Sequence, residues 1–412
     1  MTAVLPDRWL NELHRTSRSL RLVRGEGAYV WDDEDRRYLD LTSSGASTLL
    51  GHSHPRVVEA IGAQLGAFTT VPPGFEHDLR EELLEALSFI IPVRLTHVSF
   101  TSSGSAAIDL AIAWIASASE RVRVITMRGS SHGSSLGMAN GISRRGLELV
   151  DVAFDNLDAL DSALDERVAA VIVEPVQVDA GVRVPRDGYL EAVAERCRRT
   201  GALLVVDEVR TALRMGPTLG SSRPGIDPDI VCLGSSLANG LPFGVAAVGP
   251  SIARRARLAH RDPDDSCSPL VCAAANATIR TALSPTVRAL AELTGERLQA
   301  RLRALRLGEI REVRGCASVV GIETSLSPTP LLRHLERRGI LALPGGQGSI
   351  RLLAPLILDR REVDGIVETL AAIILASRPP RRRTDAEPGH RPDEVEVGLP
   401  GRASRRRARV AG

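Results

Sequence analysis

The sequence predicts an α/β protein: a large, doubly wound, mostly parallel sheet domain with a smaller α+β domain. Three observations carry this reading. From about residue 55 to 250, short apolar runs alternate with helical stretches, the pattern of repeated strand–helix units. The runs at 169–173, 203–206 and 230–233 are apolar throughout, as strands covered on both faces of a sheet must be. Each run then breaks into polar residues (Glu174, Asp207-Glu208, Gly234-Ser235-Ser236), and ligands of such sheets bind at the C-terminal strand ends. The expected divisions are an N-terminal segment at 1–60 belonging to the small domain, a large domain at 61–265, a C-terminal small domain at 266–376 and a disordered tail at 377–412.

Composition narrows the function classes. With 412 residues, 43% hydrophobic and 25% charged, the chain has an ordinary soluble make-up and enough length for a large core. A net charge of +2 gives no argument for nucleic acid. Met1 to Leu10 hold no signal-like apolar run and no segment has the length and purity of a membrane span, so a cytoplasmic location is expected. The five cysteines (Cys197, Cys232, Cys267, Cys272, Cys316) form no CxxC pair, which reads as buried thiols and not a metal site. All 52 basic side chains are arginine; the chain contains no lysine.

In chain order, residues 1–24 read as a helix with a basic face (Arg15, Arg18, Arg21, Arg24), and 25–41 as a β-hairpin around an acidic turn. Pro55 suits the first turn of a helix entered from Gly51-His-Ser-His54. His52 and His54 admit a catalytic or a structural reading. A short strand at 98–101 runs through Ser102-Ser103-Gly104-Ser105 into a helix, whose N-terminal N–H groups either take an anion or are simply capped. The strand 203–207 delivers Asp207 and Glu208, as ligand groups or as a helix cap and ion pair. Beyond Ser377 the chain is rich in Arg, Pro and acids and cannot bury a core; Arg405-Arg-Arg reads as a solvated tail.

Taken together these stretches resemble the class III (omega) aminotransferases, enzymes of pyridoxal phosphate (PLP) fold type I. Gly51-His-Ser-His-Pro-Arg-Val-Val-Glu-Ala-Ile is similar to the family's GHxHPxVVxAI, and Thr101-Ser-Ser-Gly-Ser to its TNSGSEAN. Ser131-His-Gly stands where the family has YHG, and Glu174-Pro-Val-Gln repeats EPVQ. Arg314-Gly-Cys-Ala-Ser-Val-Val-Gly-Ile-Glu resembles VRGxGxxxGIE, a strand pair of the small domain. The resemblance covers roughly residues 25–375. It implies that Ser103, Gly104 and Ser105 hold the cofactor phosphate, that Asp207 pairs with the pyridinium nitrogen, and that Val209 packs on the ring. It makes Arg351 a clamp for a substrate carboxylate, and a dimer the expected assembly, with itself or with a homologue.

The departures matter as much. The family's Leu-Gly-Lys, whose lysine forms the Schiff base, reads Leu233-Gly-Ser235 here. Ser131 replaces the aromatic residue that stacks on the ring. Asp264 aligns with a threonine that binds the partner's phosphate, and a carboxylate there repels a phosphate dianion. Coding bias toward arginine explains a shortage of lysine but not the loss of one needed for catalysis. Serine forms no imine and is a poor base unaided, so the standard transamination cycle is not expected. Three readings follow: an enzyme holding PLP or its amine form (PMP) without a covalent link and acting on an amino-bearing small molecule, with His132 as candidate base; a pocket serving chemistry without PLP on a carboxylate or phosphate compound; or an inactive partner of an active homologue.

Overall fold

The computed structural model describes residues 20–377 apart from 73–74, 134–146, 217, 223–225, 258–266 and 347. Most of the expected N-terminal helix, Asp264 and the tail lie outside the described residues. The last turn of that helix is corrected: Leu22–Glu26 is strand β1, antiparallel to β2 (Tyr29–Asp32). Arg24 stacks its guanidinium 3.8 Å from the centroid of the Trp31 ring, which an extended backbone permits and the expected helix would not.

The hairpin forms as the alternation requires. Strand β2 pairs with β3 (Arg37–Asp40). In the turn, Asp32 Oδ1 accepts from the backbone N–H groups of Glu34 and Arg36, and its Oδ2 from Tyr38 Oη at 2.9 Å. One edge of this sheet is completed from far along the chain, where β13 (Ile340–Leu341) lies parallel to β3. The N-terminal segment is thus tied to the C-terminal part of the chain.

The central sheet has seven strands: β4 (His97–Thr101), β5 (Arg123–Met127), β6 (Glu148–Val152), β7 (Val168–Val173), β8 (Leu203–Asp207), β9 (Ile230–Leu233) and β10 (Gly244–Val248). Their order across the sheet is β4-β10-β9-β8-β7-β5-β6. Only β10 is antiparallel, to both neighbours. All of β7, β9 and β10 is buried, which is why those runs show no polar alternation. On one face the helix Gly104–Ala118 packs Ala107, Ile108, Ala111 and Ile115 against Val205, Ile230 and Ala246. On the other, helix Pro269–Ala282 shares a core with Phe100, Val231, Leu233 and Val245.

A third sheet, β11 (Ile310–Cys316), β12 (Val319–Thr324), β15 (Ser349–Leu353) and β14 (Leu343–Pro344), is covered by the helices Pro285–Ala304, Pro328–Arg337 and Arg360–Ala376. The expected boundaries at 60/61 and 265/266 lie within one compact unit, Met1–Ser377. Helix Pro55–Ala67 spans the first, and helix Pro269–Ala282, placed in the small domain by the sequence reading, belongs to the core of the large sheet.

Candidate functional site

The central strands end side by side because β8 and β9 are neighbours, and so Asp207 and Gly234-Ser235 emerge together. Val209 joins them. A Cβ added to Gly234 would lie 2.8 Å from Val209 Cγ1, and one added to Gly104 only 2.5 Å from it. Both glycines are therefore needed for close approach. Gly104 opens the helix Gly104–Ala118, whose cap Ser103 accepts from Ala106 N at 3.2 Å, so the helix N-terminus abuts the strand ends. Gly133 closes the circle. Its φ of +99° suits glycine, and a Cβ there would meet Ser105 Oγ at 2.6 Å. Residues 103–105, 132–133, 207–209 and 234–235 are thereby brought into one cluster.

Within it, Asp207 is buried and fixed from two sides. Its Oδ1 accepts from Val209 N at 3.0 Å and its Oδ2 lies 2.8 Å from His132 Nδ1. Burial by itself lowers the pKa of His132, but the hydrogen bond and charge of Asp207 outweigh it, and the net shift is upward. His132 Nε2 is buried and has no hydrogen-bond partner among the described residues. The ring of His132, the candidate base of the sequence, turns its Nδ1 to the acid. Beside the pair stands Glu174, fully buried, whose carboxyl is pushed up to about 8 by burial, with the Asp207 charge adding to the shift. Glu174 Oε1 accepts from Ser131 N at 2.8 Å.

Glu208 serves the loop. Its carboxylate accepts from Thr211 Oγ1, from Gly220 N at 3.0 Å and from Ser221 N at 2.7 Å, stapling both ends of the segment after β8. Ser235, at the lysine position, is half-buried and its Oγ lies 2.9 Å from Ser47 Oγ. Ser47 follows a turn of unusual backbone, with positive φ at Ser43, Ser44, Gly45 and Ala46. Arg210 donates to Gly45 O and so ties that turn to the strand end.

Arg351, on β15, is ion-paired with Asp179, and Arg210 Nη2 lies 3.6 Å from the other oxygen of the same acid. The arginines, with Ser131, hold the Asp179 carboxyl below its usual range against the opposing effect of burial. Two guanidinium groups thus share one carboxylate. Sequence reasoning missed Asp179, Arg210 and Ser47. Arg210 follows Val209 directly and was open to notice; Ser47 carries no local signal. His52 Nε2 lies 2.8 Å from Asp40 Oδ2.

Comparison with known proteins gives the family. The model of the class III aminotransferases matches residues 13–145 and 143–374. The chain is 30% identical over 381 residues to the [LysW]-aminoadipate semialdehyde transaminase of Deinococcus radiodurans, covering 89% of this chain and 88% of that one. It is 33% identical over 373 residues to the acetylornithine aminotransferase of Methanopyrus kandleri, covering 86% and 94%. Among solved structures, the N-acetylornithine aminotransferase of Stenotrophomonas maltophilia superposes with a TM-score of 0.77 at 28% identity, over 89% of this chain and 98% of that one. The omega transaminase of Pseudomonas jessenii, solved in complex with PMP, superposes at 0.79 with 22% identity over 91% and 98%, a likeness of fold. The chain belongs to the class III aminotransferase family and has the PLP fold type I architecture.

The residues present fit a pyridine ring at one end. The buried Asp207 is aimed and braced as a partner for a ring nitrogen, and the N-terminus of helix Gly104–Ala118 stands against it. They do not fit a covalent anchor, because Ser235 replaces the lysine and no other lysine exists. Among the described residues no group of His, Cys, Asp and Glu could hold a metal ion.

Proposed function

We propose that the protein holds PLP or PMP without a covalent link, acts on an amino-bearing small molecule that carries a carboxylate, and is not an ordinary transaminase. The observation that carries this reading is the contrast around Asp207: a buried acid fixed by two hydrogen bonds remains, while the lysine position is a serine bonded to Ser47. A buried carboxylate is costly unless it is well paired. His132 meets part of that cost, and a cationic ring nitrogen would meet more.

When bound, PLP or PMP supplies an electron-withdrawing ring that takes up negative charge from the substrate carbon. The chain's own groups do the rest. Asp207 holds the ring nitrogen protonated. His132 acts through Asp207, orienting its carboxylate. The N-terminus of helix Gly104–Ala118, with Ser103 and Ser105, receives the phosphate. Arg351 and Arg210, only partly neutralised by Asp179, favour a substrate carboxylate. This agrees with relatives named for aminoadipate semialdehyde and acetylornithine. Ser235 cannot carry an imine, and its hydroxyl lies 2.9 Å from that of Ser47.

The purified protein should retain PLP or PMP through desalting, with the released ligand identified by mass spectrometry. Borohydride reduction should leave no pyridoxyl group on any pocket peptide. Retention of neither compound would overturn the reading and leave cofactor-free chemistry or an inactive partner role. A dimer, with itself or with a homologue, is part of the proposal. Apolar side chains stand exposed along 58–93, among them Val58, Leu65, Phe75, Phe89 and Val93, and such exposure marks association surfaces. Among the described residues no helix is long and apolar enough to cross a membrane. A monomer by light scattering at micromolar concentration would count against the dimer.

A further inference from the structure

Helix Pro269–Ala282 is entered between two cysteines. Ser268 is its N-cap, with Oγ accepting from Val271 N at 3.4 Å, and Pro269 sets the first helical φ. Cys267 precedes the cap and Cys272 follows it by four residues. Side chains at these two positions touch across a helix start, where an apolar pair is usual. Here the two sulfurs lie 2.8 Å apart. Ordinary contact falls at about 3.5–4.0 Å between carbon atoms, and sulfur is the larger atom. A sulfur–sulfur bond measures about 2.05 Å. The pair is therefore drawn well inside packing distance, and closing it needs a shift of less than an ångström.

Cys272 Sγ also donates to the Cys267 carbonyl at 3.6 Å; the other thiols bond elsewhere in the chain. Cys232 and Cys316 donate to the carbonyls of Ala107 and Met215. The Cys197 thiol is pushed up to about 12 by burial and the nearby Asp229, which suppresses its thiolate. Of the close pair, Cys272 is wholly buried and Cys267 is 6% exposed, so an oxidant reaches Cys267 first.

We propose that Cys267 and Cys272 are a reversible redox-modification site, closed to a disulfide by a peroxide. The Cys267 sulfur attacks one peroxide oxygen; the O–O bond breaks, and the leaving oxygen takes up a proton as water. Cys267 is left as a sulfenic acid. The Cys272 sulfur then attacks the Cys267 sulfur; the S–S bond forms, the S–O bond breaks and a second water departs. Two electrons pass from the two thiols to the peroxide, and a dithiol reductant returns them. The helix packs on the helices Pro55–Ala67 and Asp78–Ser88 and on the turn Ser235–Ala238. The cross-link therefore ties the chain at residue 267 to the element that supports Ser235.

The sequence makes the test direct. Trypsin can cut this lysine-free chain only after arginine, and residues 262–280 leave as one peptide holding Cys267, Cys272 and no other cysteine. Folded protein is treated with hydrogen peroxide, unfolded in N-ethylmaleimide and digested. The expected 262–280 peptide is unlabelled and about 2 Da lighter than the dithiol form, and takes two labels after dithiothreitol. The Cys197 and Cys232 peptides should be labelled throughout. A doubly labelled 262–280 peptide at a dose that oxidises methionine would overturn the proposal, as would a sulfinic acid at either cysteine in place of the disulfide. In Cys272→Ser, checked for folding by circular dichroism, the Cys267 sulfenic acid should persist and be trapped by dimedone. Its absence from a folded variant would overturn the order of steps.

Discussion

The two ends of the pocket have had different histories. At the Asp207 end, every group that aims the acid is in place: the Val209 N–H, the His132 ring, and the two glycines that let Val209 close in. At the Ser235 end, the lysine is gone, the ring-stacking position is Ser131, and hydroxyls meet each other across 2.9 Å. On the function proposed above, the first end is the one that holds the ring, and the second has lost its covalent anchor. Fold and function are carried by separate residues, so one can persist while the other is rebuilt.

The largest expected effect comes from restoring the lost group. Ser235→Lys must displace the Ser47 contact, but the neighbouring backbone is set by Gly234 against Val209 and should hold. The variant is expected to go from no covalent PLP to a near-stoichiometric adduct, seen as an imine absorption band and a borohydride-trapped pyridoxyl-lysine at residue 235. A folded variant without that band would show that the Asp207 end no longer receives the cofactor, and the comparison would collapse.

Removing the retained acid should cost less. Asp207→Ala deletes a charged hydrogen bond to the ring nitrogen, an interaction of roughly 1.5–3 kcal/mol. Equilibrium dialysis should find PMP binding weakened about ten- to a hundredfold. Unchanged affinity would mean that the acid serves His132 alone.

Gly234→Ala tests the packing beneath both ends. Its Cβ would stand 2.8 Å from Val209 Cγ1 and 2.9 Å from Val209 O, so side chain or backbone must move. Overpacking of this kind costs about 1–3 kcal/mol. Denaturant melts should show a loss in that range, and an unperturbed midpoint would deny that Val209 is wedged between strand ends.

The sheet and the residues at its strand ends were legible because local chemistry determines them. Apolar runs without alternation marked β7, β8 and β9, and polar breaks marked where they stop. Strand adjacency then brings Asp207 to Ser235. What was not legible depends on tertiary fit. The sequence offered His132 as a candidate base but could not orient its ring. Asp179 and Arg351 are 172 residues apart and meet only when β15 is laid beside β12. Ser47 reaches Ser235 through four successive residues of positive φ, only one of them glycine, a path that no propensity favours. The Cys267–Cys272 contact was missed because spacing was read for metal sites and not for the start of a helix.

The smallest effect concerns pH and the third acid of the Asp207 end. Burial pushes the Glu174 carboxyl up from the ordinary 4.5 to about 8, against the opposing pull of the His132 charge. A raised folded pKa means that the native state binds the proton more tightly than the unfolded chain. The contribution to stability is then complete below the unfolded value and is lost as pH rises from there through the folded one. His132 is also raised and acts in the same direction, but only above its unfolded value of 6.5. Between pH 5 and 6.5 Glu174 should therefore dominate the difference between the wild type and Glu174→Gln. One proton sets a ceiling of about 1.4 kcal/mol per pH unit. Denaturant midpoints across that window should fall more steeply with pH in the wild type than in Glu174→Gln, whose amide can still accept from Ser131 N and carries no charge. Equal slopes would mean that Glu174 is ionised throughout and that the Asp207 end holds two negative charges about one imidazolium.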